Sequence, residues 1–208
     1  MLLPALIMAG GKGTRLNSSL EKPLLRVKGR PMISYVIEAL RHAECVEKVV
    51  VVASKHTPNT YKVVRRLGTE ALLAPGRGYV EDLHYAVKAL RLKGAVLVTA
   101  CDLPLVRSAL IDQIIRYYYT YCRKPALTVA VPYEVHKALG LRPSYLFEIG
   151  GLKAAPSGVN ILDTSMIGRE YIDEDVMVLS SLELAVNVNT LEDLQLAEKL
   201  IDDGGLRP

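Results

Sequence analysis

A glycine-rich stretch near the N-terminus combines residues suited to binding a polyphosphate. The letters AGGKGTRL occupy residues 9–16, directly after an apolar run, and EKPLL occupies residues 21–25. Glycine lets the backbone approach a ligand closely, and successive amide groups in such a turn form a concavity that binds anions. Arg15 would add a bidentate guanidinium and Lys22 a point charge. The pattern therefore predicts a phosphate cradle; the alternative is an ordinary strand-to-helix turn with solvated cations.

Two common phosphate-binding loops do not fit this stretch. The spacing G-x-x-x-x-G-K-[ST] of the Walker loop is absent. The dinucleotide pattern G-x-G-x-x-G would begin at Gly11, but it requires glycine at position 16, where the chain has Leu16. What remains is the pattern GGxGTRL after a strand, followed by KPLL.

A second candidate for chemistry is Asp102, which follows the apolar run at 95–100. A carboxylate at the end of a buried strand can hold Mg²⁺ through oxygen. The same acid could instead cap the helix that follows. In combination with the glycine loop the metal interpretation is favoured, because a transferred phosphate needs a dication to offset its charge.

A third candidate is Asn189, in the sequence Asn187-Val188-Asn189-Thr190. Residues 185–188 are expected to form a last short strand, and the alternation of side chains along a strand would put both asparagines on one face. The amide oxygen of Asn189 can complete a Mg²⁺ shell. Asn is also favoured as a helix N-cap, so capping of the final helix is an equal alternative at this point.

A fourth candidate is the turn at Gly78, which opens a helix with Glu81 and Asp82 in its first turn. Acids there compensate the helix dipole. They would also suit guanine, whose N1–H and N2–H₂ donors one carboxylate can accept together, whereas adenine presents no such pair. Gly78 would let the base lie close to the backbone. The sequence does not choose between the two acids.

The segments that carry these candidates alternate between strand-like and helix-like patterns. The predicted strands lie at 3–8, 48–53, 70–73, 95–100 and 127–131. The predicted helices lie at 31–40, 58–67, 79–92, 108–122 and 190–201. This alternation predicts an α/β fold, a mostly parallel sheet with helices on both faces. Ligands of such sheets bind at the carboxyl ends of the strands, where all four candidates are expected.

The pattern changes in residues 133–163, where glycine and proline interrupt both periodicities. Two strand-like pieces follow at 145–148 and 159–162. Long loops in compact domains are usually functional. We therefore expect one domain over 1–208, with 133–163 as a small antiparallel insertion that covers the cleft in the C-terminal third.

Composition excludes several classes of protein. The 208 residues suit one domain, and a net charge of +4 is too weak to indicate a nucleic-acid partner. Three isolated cysteines argue against a disulfide framework or a zinc site. No apolar run has the length of a membrane span, and the first residues lack the positive segment of a signal peptide, so a cytoplasmic location is expected.

Four blocks of sequence carry a family resemblance. They are GGKGTRL with EKPLL at 10–25, GRGYVEDL at 76–83, PSGVNIL at 156–162 and NVNTLEDLQLAEKL at 187–200. Together they resemble the archaeal GTP:adenosylcobinamide-phosphate guanylyltransferases, nucleotidyltransferases with a Rossmann-like fold. Molybdenum-cofactor guanylyltransferases rank second, because they usually carry Asp where this chain has Glu21. Sugar-1-phosphate nucleotidylyltransferases and a nucleotide-binding module without turnover are the remaining alternatives.

The resemblance implies an activity and a set of roles. GMP would pass from GTP to adenosylcobinamide phosphate, with pyrophosphate as the second product, in the biosynthesis of cobamides such as vitamin B12. Arg15, Lys22 and Asp102 would be catalytic, and Asp102 with Asn189 would hold Mg²⁺. Gly158 and Asn160 would line the acceptor side. The residues expected to bind the nucleotide are Ala9, Gly10, Gly11, Lys12, Gly13, Thr14, Gly78, Glu81 and Asp82. The sequence does not decide between a monomer and a homodimer.

Overall fold

Four apolar runs form the parallel half of the main sheet. They are β1 (Leu3–Met8), β4 (Val46–Ser54), β5 (Glu70–Ala74) and β6 (Ala95–Ala100). In the computed structural model, which describes residues 2–13 and 18–203, these strands lie side by side in the order β6-β1-β4-β5. Runs apolar at almost every position are typical of strands covered on both faces, which explains their central place.

The other half of the sheet is mixed. Its strands are β7 (Ala126–Pro132), β8 (Phe147–Ile149), β9 (Leu152–Asp163) and β10 (Glu174–Val178). β9 runs antiparallel between β6 and β7, β8 pairs with the start of β9, and β10 lies parallel to β7 at the edge. Within the described ranges one sheet thus contains eight strands, and β2 (Arg26–Val27) and β3 (Arg30–Pro31) form a separate pair.

Helices cover both faces of the sheet, as the sequence predicts. They are α1 (Met32–His42), α2 (Pro58–Arg66), α3 (Tyr79–Ala89), α4 (Ser108–Tyr121), α5 (Tyr133–Ala138), α6 (Leu182–Ala185) and α7 (Leu191–Asp202). Ile7 of β1 packs in one core cluster with residues of α1 and α4, and Leu6 packs in the other with residues of α3. Each such fully buried side chain contributes roughly 1.5–3 kcal/mol to folding.

Two local expectations are wrong. Residues 152–163 are a strand of the main sheet, so this part of the expected insertion does not lie over the cleft; Val159 and Ile161 are fully buried there. Residues 185–188 do not form a strand. The helix α6 ends at Ala185, and Ser181 begins it by accepting a hydrogen bond from the amide of Leu184. Residues 186–189, where the extended segment was expected, are irregular chain between α6 and α7.

No helix in the part of the chain that the structure describes is long and apolar enough to cross a membrane.

Candidate active site

A cavity of about 670 Å³ opens at the carboxyl ends of β1, β4, β5 and β6. Most of the residues predicted from sequence line it. They are Ala9, Gly10, Gly11, Lys12, Gly13, Lys22, Gly78, Asp82, Asp102 and Asn189. Arg15 and Thr14, predicted to bind phosphate, lie outside the described residues. The parallel connectivity brings the strand ends together at one edge, which is why residues far apart in sequence share this cavity.

Close packing explains two of the loop glycines. A Cβ atom on Gly10 would lie 2.9 Å from Cβ of Ser54, whose hydroxyl donates a 2.7 Å hydrogen bond to the Gly10 carbonyl. Gly13 has a φ of +62°, and a Cβ there would lie 2.8 Å from Cβ of Lys22. Glycine at 13 thus permits both the left-handed backbone and the close approach of Lys22. The loop is held against β4 and against the segment that carries the lysine.

Lys22 lies between Asp102 and Asn189 on the cavity wall. Its ammonium Nζ donates a short hydrogen bond to Asp102 Oδ2 and a 2.9 Å hydrogen bond to Asn189 Oδ1. The side chains of Lys22 and Asp102 are only 15% and 12% exposed. The other carboxylate oxygen, Asp102 Oδ1, is buried and has no hydrogen-bond partner among the described residues. Since α4 begins only at Ser108, Asp102 does not cap that helix.

A hydrogen-bond chain orients the Asn189 amide. Its Nδ2 donates to Asn187 Oδ1 at 2.9 Å, which turns Oδ1 towards Lys22. Asn187 and Asn189 are therefore linked by a side-chain hydrogen bond, although they lie in a segment without regular secondary structure and not on a strand. Thr190 is the N-cap of α7 and forms a capping box with Asp193, so the capping role is not taken by Asn189.

Asp82 and Glu81 have different environments. Asp82 is buried, and its Oδ1 accepts hydrogen bonds from the amides of Gly76 at 2.8 Å and Arg77 at 3.3 Å. Asp82 thereby fixes the turn that precedes Gly78 along the cavity. Glu81 is exposed and does not line the cavity. Of the two acids, the structure brings only Asp82 to the candidate site.

Comparisons with known proteins identify relatives of this chain. Residues 5–167 match the family described as MobA-like NTP transferase domain. The adenosylcobinamide-phosphate guanylyltransferase of Methanocaldococcus jannaschii is 33% identical over 213 residues, covering 98% of this chain and 100% of the relative. The chain belongs to the MobA-like NTP transferase family. The resemblance in the four sequence blocks is confirmed by that full-length alignment.

Two further matches bear on family and fold. The probable molybdenum cofactor guanylyltransferase of Pyrococcus horikoshii is 33% identical over 119 residues, which is 57% of each chain. A solved CMP:2-keto-3-deoxy-manno-octonic acid synthetase, complexed with CTP, has a TM-score of 0.75 over 98% of this chain and 100% of that one. Its identity of 14% shows a shared fold alone.

Several cavity residues of this MobA-like transferase were not predicted from its sequence. Lys55 and His56 follow β4, and the ring Nε2 of His56 lies 3.2 Å from the Gly76 carbonyl oxygen. Their position directly after a predicted parallel strand is the signal that would have identified them. Arg77 and Tyr79 also line the cavity, on either side of the predicted Gly78.

Glu21 has a supporting role that the sequence does not indicate. Its carboxylate accepts hydrogen bonds from the amides of Asn59 at 2.8 Å and Thr60 at 2.6 Å, at the N-terminus of α2. The Thr60 hydroxyl donates a third, at 2.6 Å. Charge-assisted bonds of this kind at a helix N-terminus are strong. Glu21 thus anchors the turn that carries Lys22.

Gly158 and Asn160 do not line this cavity. Gly158, at φ +85°, packs close to β6, where an added Cβ would lie 3.0 Å from Cβ of Ala100. The Asn160 oxygen Oδ1 lies 3.0 Å from the hydroxyl oxygen of Thr128 on the neighbouring strand β7. Gly158 thus lies behind the cavity wall, since an added Cβ would also come within 3.6 Å of Asn187 Nδ2, whereas Asn160 lies on the sheet beside Thr128.

Cys101 lines the cavity beside Asp102 but is unsuited to nucleophilic chemistry. Burial raises the pKa of its thiol to about 12, and the neighbouring Asp102 carboxylate acts in the same direction. At neutral pH the sulfur therefore stays protonated, and the thiol is a poor nucleophile.

Proposed function

We propose that this chain transfers GMP from GTP to adenosylcobinamide phosphate and releases pyrophosphate. The observation that carries the proposal is the Lys22–Asp102–Asn189 cluster in a chain that aligns end to end with an adenosylcobinamide-phosphate guanylyltransferase. A module that only senses a nucleotide has no need of a buried acid with a free oxygen beside a lysine. The alignment with the molybdenum cofactor guanylyltransferase covers only 57% of each chain, so it supports a molybdenum-cofactor acceptor less well.

The nucleotide would lie along the cavity from the turn at Gly78 to the glycine loop. Its volume of about 670 Å³ falls in the range of roughly 300–1,000 Å³ typical of ligand sites. Lys12, Lys22, Lys55 and Arg77 surround it with cations. The amides at residues 10–13 are the donors we expect to face the β- and γ-phosphates. Arg15 stays a predicted phosphate ligand.

The reaction would be a direct displacement at phosphorus. An oxygen of the acceptor phosphate forms a bond to the α-phosphorus of GTP. The bond from the α-phosphorus to the bridging oxygen breaks, and pyrophosphate leaves with the electron pair. A phosphate monoester is already an anion at neutral pH, since its second pKa is about 6, so no general base is needed. Lys22 would offset charge that develops at the α-phosphorus, and catalysis would rest on position and electrostatics.

Mg²⁺ belongs to the same proposal, and the residues fit it. Asp102 Oδ1 is buried without a partner among the described residues, and the neutral oxygen of Asn189 accepts from the same ammonium as Asp102 Oδ2. Oxygen is the ligand type that Mg²⁺ prefers. Nowhere in the ranges described do three or more His, Cys, Asp or Glu gather as a metal site, so triphosphate oxygens and water would complete the shell. When bound, the ion would neutralise charge on the triphosphate.

Base selection is assigned to Asp82 rather than to Glu81. The Gly76 and Arg77 amides occupy Oδ1 of Asp82, and none of the side-chain hydrogen bonds between described residues uses Oδ2, which would accept a donor on the base. Gly78, at φ +131°, begins α3 and has open space where a Cβ would be. A guanine ring against this glycine would present its N1–H or N2–H₂ donors towards the turn.

A panel of nucleotides and acceptors tests the proposal. GTP, ATP, UTP and CTP are each combined with adenosylcobinamide phosphate, with molybdopterin and with glucose 1-phosphate, and pyrophosphate release and product mass are measured. We expect adenosylcobinamide-GDP from GTP as the dominant product. Faster transfer to molybdopterin or to glucose 1-phosphate would show that the proposed acceptor is wrong. If no pair releases pyrophosphate, the chain is better explained as a nucleotide-binding module without turnover. Light scattering on the same samples measures whether the chain is a monomer or a dimer.

A further inference from the structure

A second cavity, of about 480 Å³, adjoins the first, and Asn189 lines both. The loop at 140–145, the β9 residues Ala155 and Pro156, α6 and the start of α7 form its walls. The described residues predicted for the acceptor, Gly158 and Asn160, do not line it. This cavity is therefore a separate space that meets the first one at Asn189.

The order of strands places the two cavities on opposite sides of the Lys22–Asp102 pair. Lys55 follows β4, the glycine loop follows β1 and Asp102 follows β6. β9, which carries Ala155 and Pro156, is the next strand after β6. Four features therefore follow one another along this edge of the sheet. The side expected to hold the base comes first, then the glycine loop, then Asp102 and finally the second cavity.

A displacement at phosphorus needs this arrangement. The attacking oxygen and the leaving oxygen lie roughly in line on opposite sides of the phosphorus. With the leaving pyrophosphate on the glycine loop, the attacking phosphate must come from the side of Asp102 that faces away from that loop. The second cavity lies on that side, and it shares Asn189 with the first.

The lining of the second cavity favours a large amphipathic group. The exposed ring of Tyr145 stacks on Phe147 with centroids 6.2 Å apart, which gives a flat aromatic surface at the rim. Leu184 and Pro156 supply apolar contact, Arg142 supplies a positive charge, and Glu192 and Asp193 supply negative charges. Such a mixed surface suits a flat ring system with polar substituents better than a compact, hydroxyl-rich sugar.

We propose that this second cavity binds the ring system of the acceptor, a phosphate monoester of a bulky, flat, amphipathic carrier, with Tyr145 packed against it. The proposal rests on the proposed function and adds where the acceptor lies. The phosphate of the acceptor would reach past Asn189 to the reacting centre, while its carrier stays on the Tyr145 side. Asp193, whose Oδ2 accepts the amides of Asn189 and Thr190, shapes the passage between the two cavities.

Tyr145→Ala, with Tyr121→Ala as its control, tests the proposal. Both tyrosines are 64% exposed and each contacts one other ring, but Tyr121 lies at the end of α4, outside the lining of both cavities. Tyr145→Ala should raise the KM for adenosylcobinamide phosphate about tenfold, the size expected for loss of an aromatic contact. The KM for GTP should change less than about twofold on the same scale. Tyr145→Phe, which keeps the ring, should behave like the wild type.

A binding measurement separates failure of this proposal from failure of the proposed function. Binding of adenosylcobinamide phosphate is titrated in the presence of an α,β-methylene GTP analogue. Wild-type turnover with an unchanged acceptor KM in Tyr145→Ala would overturn the cavity assignment and leave the function standing. If the wild type binds adenosylcobinamide phosphate but shows no turnover, and Tyr145→Ala weakens that binding, the cavity assignment holds and the proposed function fails. No binding by the wild type would overturn both.

Discussion

The ammonium of Lys22 donates a hydrogen bond to the carboxylate of Asp102, 80 residues away in the chain, and both residues line the same cavity. Both side chains are mostly buried. Removing one partner of a buried pair leaves the other charge uncompensated. In the free protein Lys22 therefore neutralises the acid that the proposed Mg²⁺ site needs, and an incoming triphosphate offers the lysine another anion.

Asp102→Asn should lower kcat by about 10²–10³-fold, the range measured when one electrostatic group is removed from an active site. The affinity for GTP should fall much less, since the acid acts mainly in the transition state. Steady-state kinetics and calorimetric titration with GTP separate the two effects.

Asp112→Asn is the matched control for that variant. Asp112 is also buried, but it accepts the amides of Glu44 and Cys45 far from the cavity. Its replacement should lower the unfolding free energy and leave kcat unchanged. An equal loss of GTP affinity and kcat in Asp102→Asn would indicate a structural role for Asp102.

Lys22→Met should let Asp102 bind a divalent ion more tightly in the absence of nucleotide. Two unit charges 4 Å apart interact by about 4 kcal/mol at an effective dielectric constant of 20, and part of this is released when the lysine is removed. We expect about tenfold tighter Mn²⁺ binding, which corresponds to about 1.4 kcal/mol, measured by electron paramagnetic resonance on nucleotide-free protein. Transfer activity should fall in the same variant.

Lys12→Met is the control for the metal titration. Lys12 lines the same cavity, and none of the ion pairs between described residues includes it. Its Mn²⁺ affinity should match that of the wild type. If Lys22→Met also matches the wild type, Lys22 does not compete with the metal.

Asp82→Asn should reduce the preference for GTP over ATP, because the buried carboxylate becomes an amide that can donate as well as accept. A loss of about tenfold corresponds to one hydrogen bond of about 1.4 kcal/mol. Glu81→Gln should leave the preference unchanged, since Glu81 is exposed outside the cavity lining. Competition between the two nucleotides measures the ratio directly. Equal loss for both nucleotides would mean that Asp82 only holds the turn at Gly76.

His136 should make the fold less stable as the pH falls. Burial lowers the pKa of its imidazole, although the Pro132 carbonyl 3.2 Å from Nδ1 opposes the shift. Below the unfolded pKa of about 6.5 the unfolded chain binds a proton that the folded chain resists, so stability is lost as the pH falls towards the folded pKa. Urea unfolding at pH 7 and pH 5 should show a smaller loss in His136→Gln than in the wild type.

His42→Gln is the control for that comparison, because His42 is exposed at the end of α1. It should follow the wild-type dependence on pH. Parallel curves for the wild type and His136→Gln would contradict the effect of burial.

The parallel half of the fold follows from sequence because its signals are local. The apolar runs at β1, β4 and β6 fix strands, and parallel connections must bring their carboxyl ends to one edge. The sequence alone therefore predicts Gly10, Lys22 and Asp102 in one site. Asn189 directly precedes the predicted helix at 190–201, and it contacts Lys22 as expected for a residue of the same site.

The remainder depends on contacts distant in sequence. β9 carries Pro156 and Gly158, and its register with β7 shifts between Thr128 and Ala130, so its alternation is interrupted where a strand pattern would be sought. The irregular segment at 187–189 is held by the Val188 amide, which donates to the Asp102 carbonyl at 3.0 Å. Glu21 caps a helix that lies 38 residues further along the chain. No local pattern predicts such partners.

A crystal structure with GTP and Mn²⁺ tests the central claim most directly, because the anomalous signal of manganese locates the ion independently of the nucleotide. We predict the ion within coordination distance of Asp102 Oδ1, the triphosphate against residues 10–13, and Lys22 turned from Asp102 towards phosphate. A nucleotide bound outside this cavity, or an ion without contact to Asp102, would contradict the account.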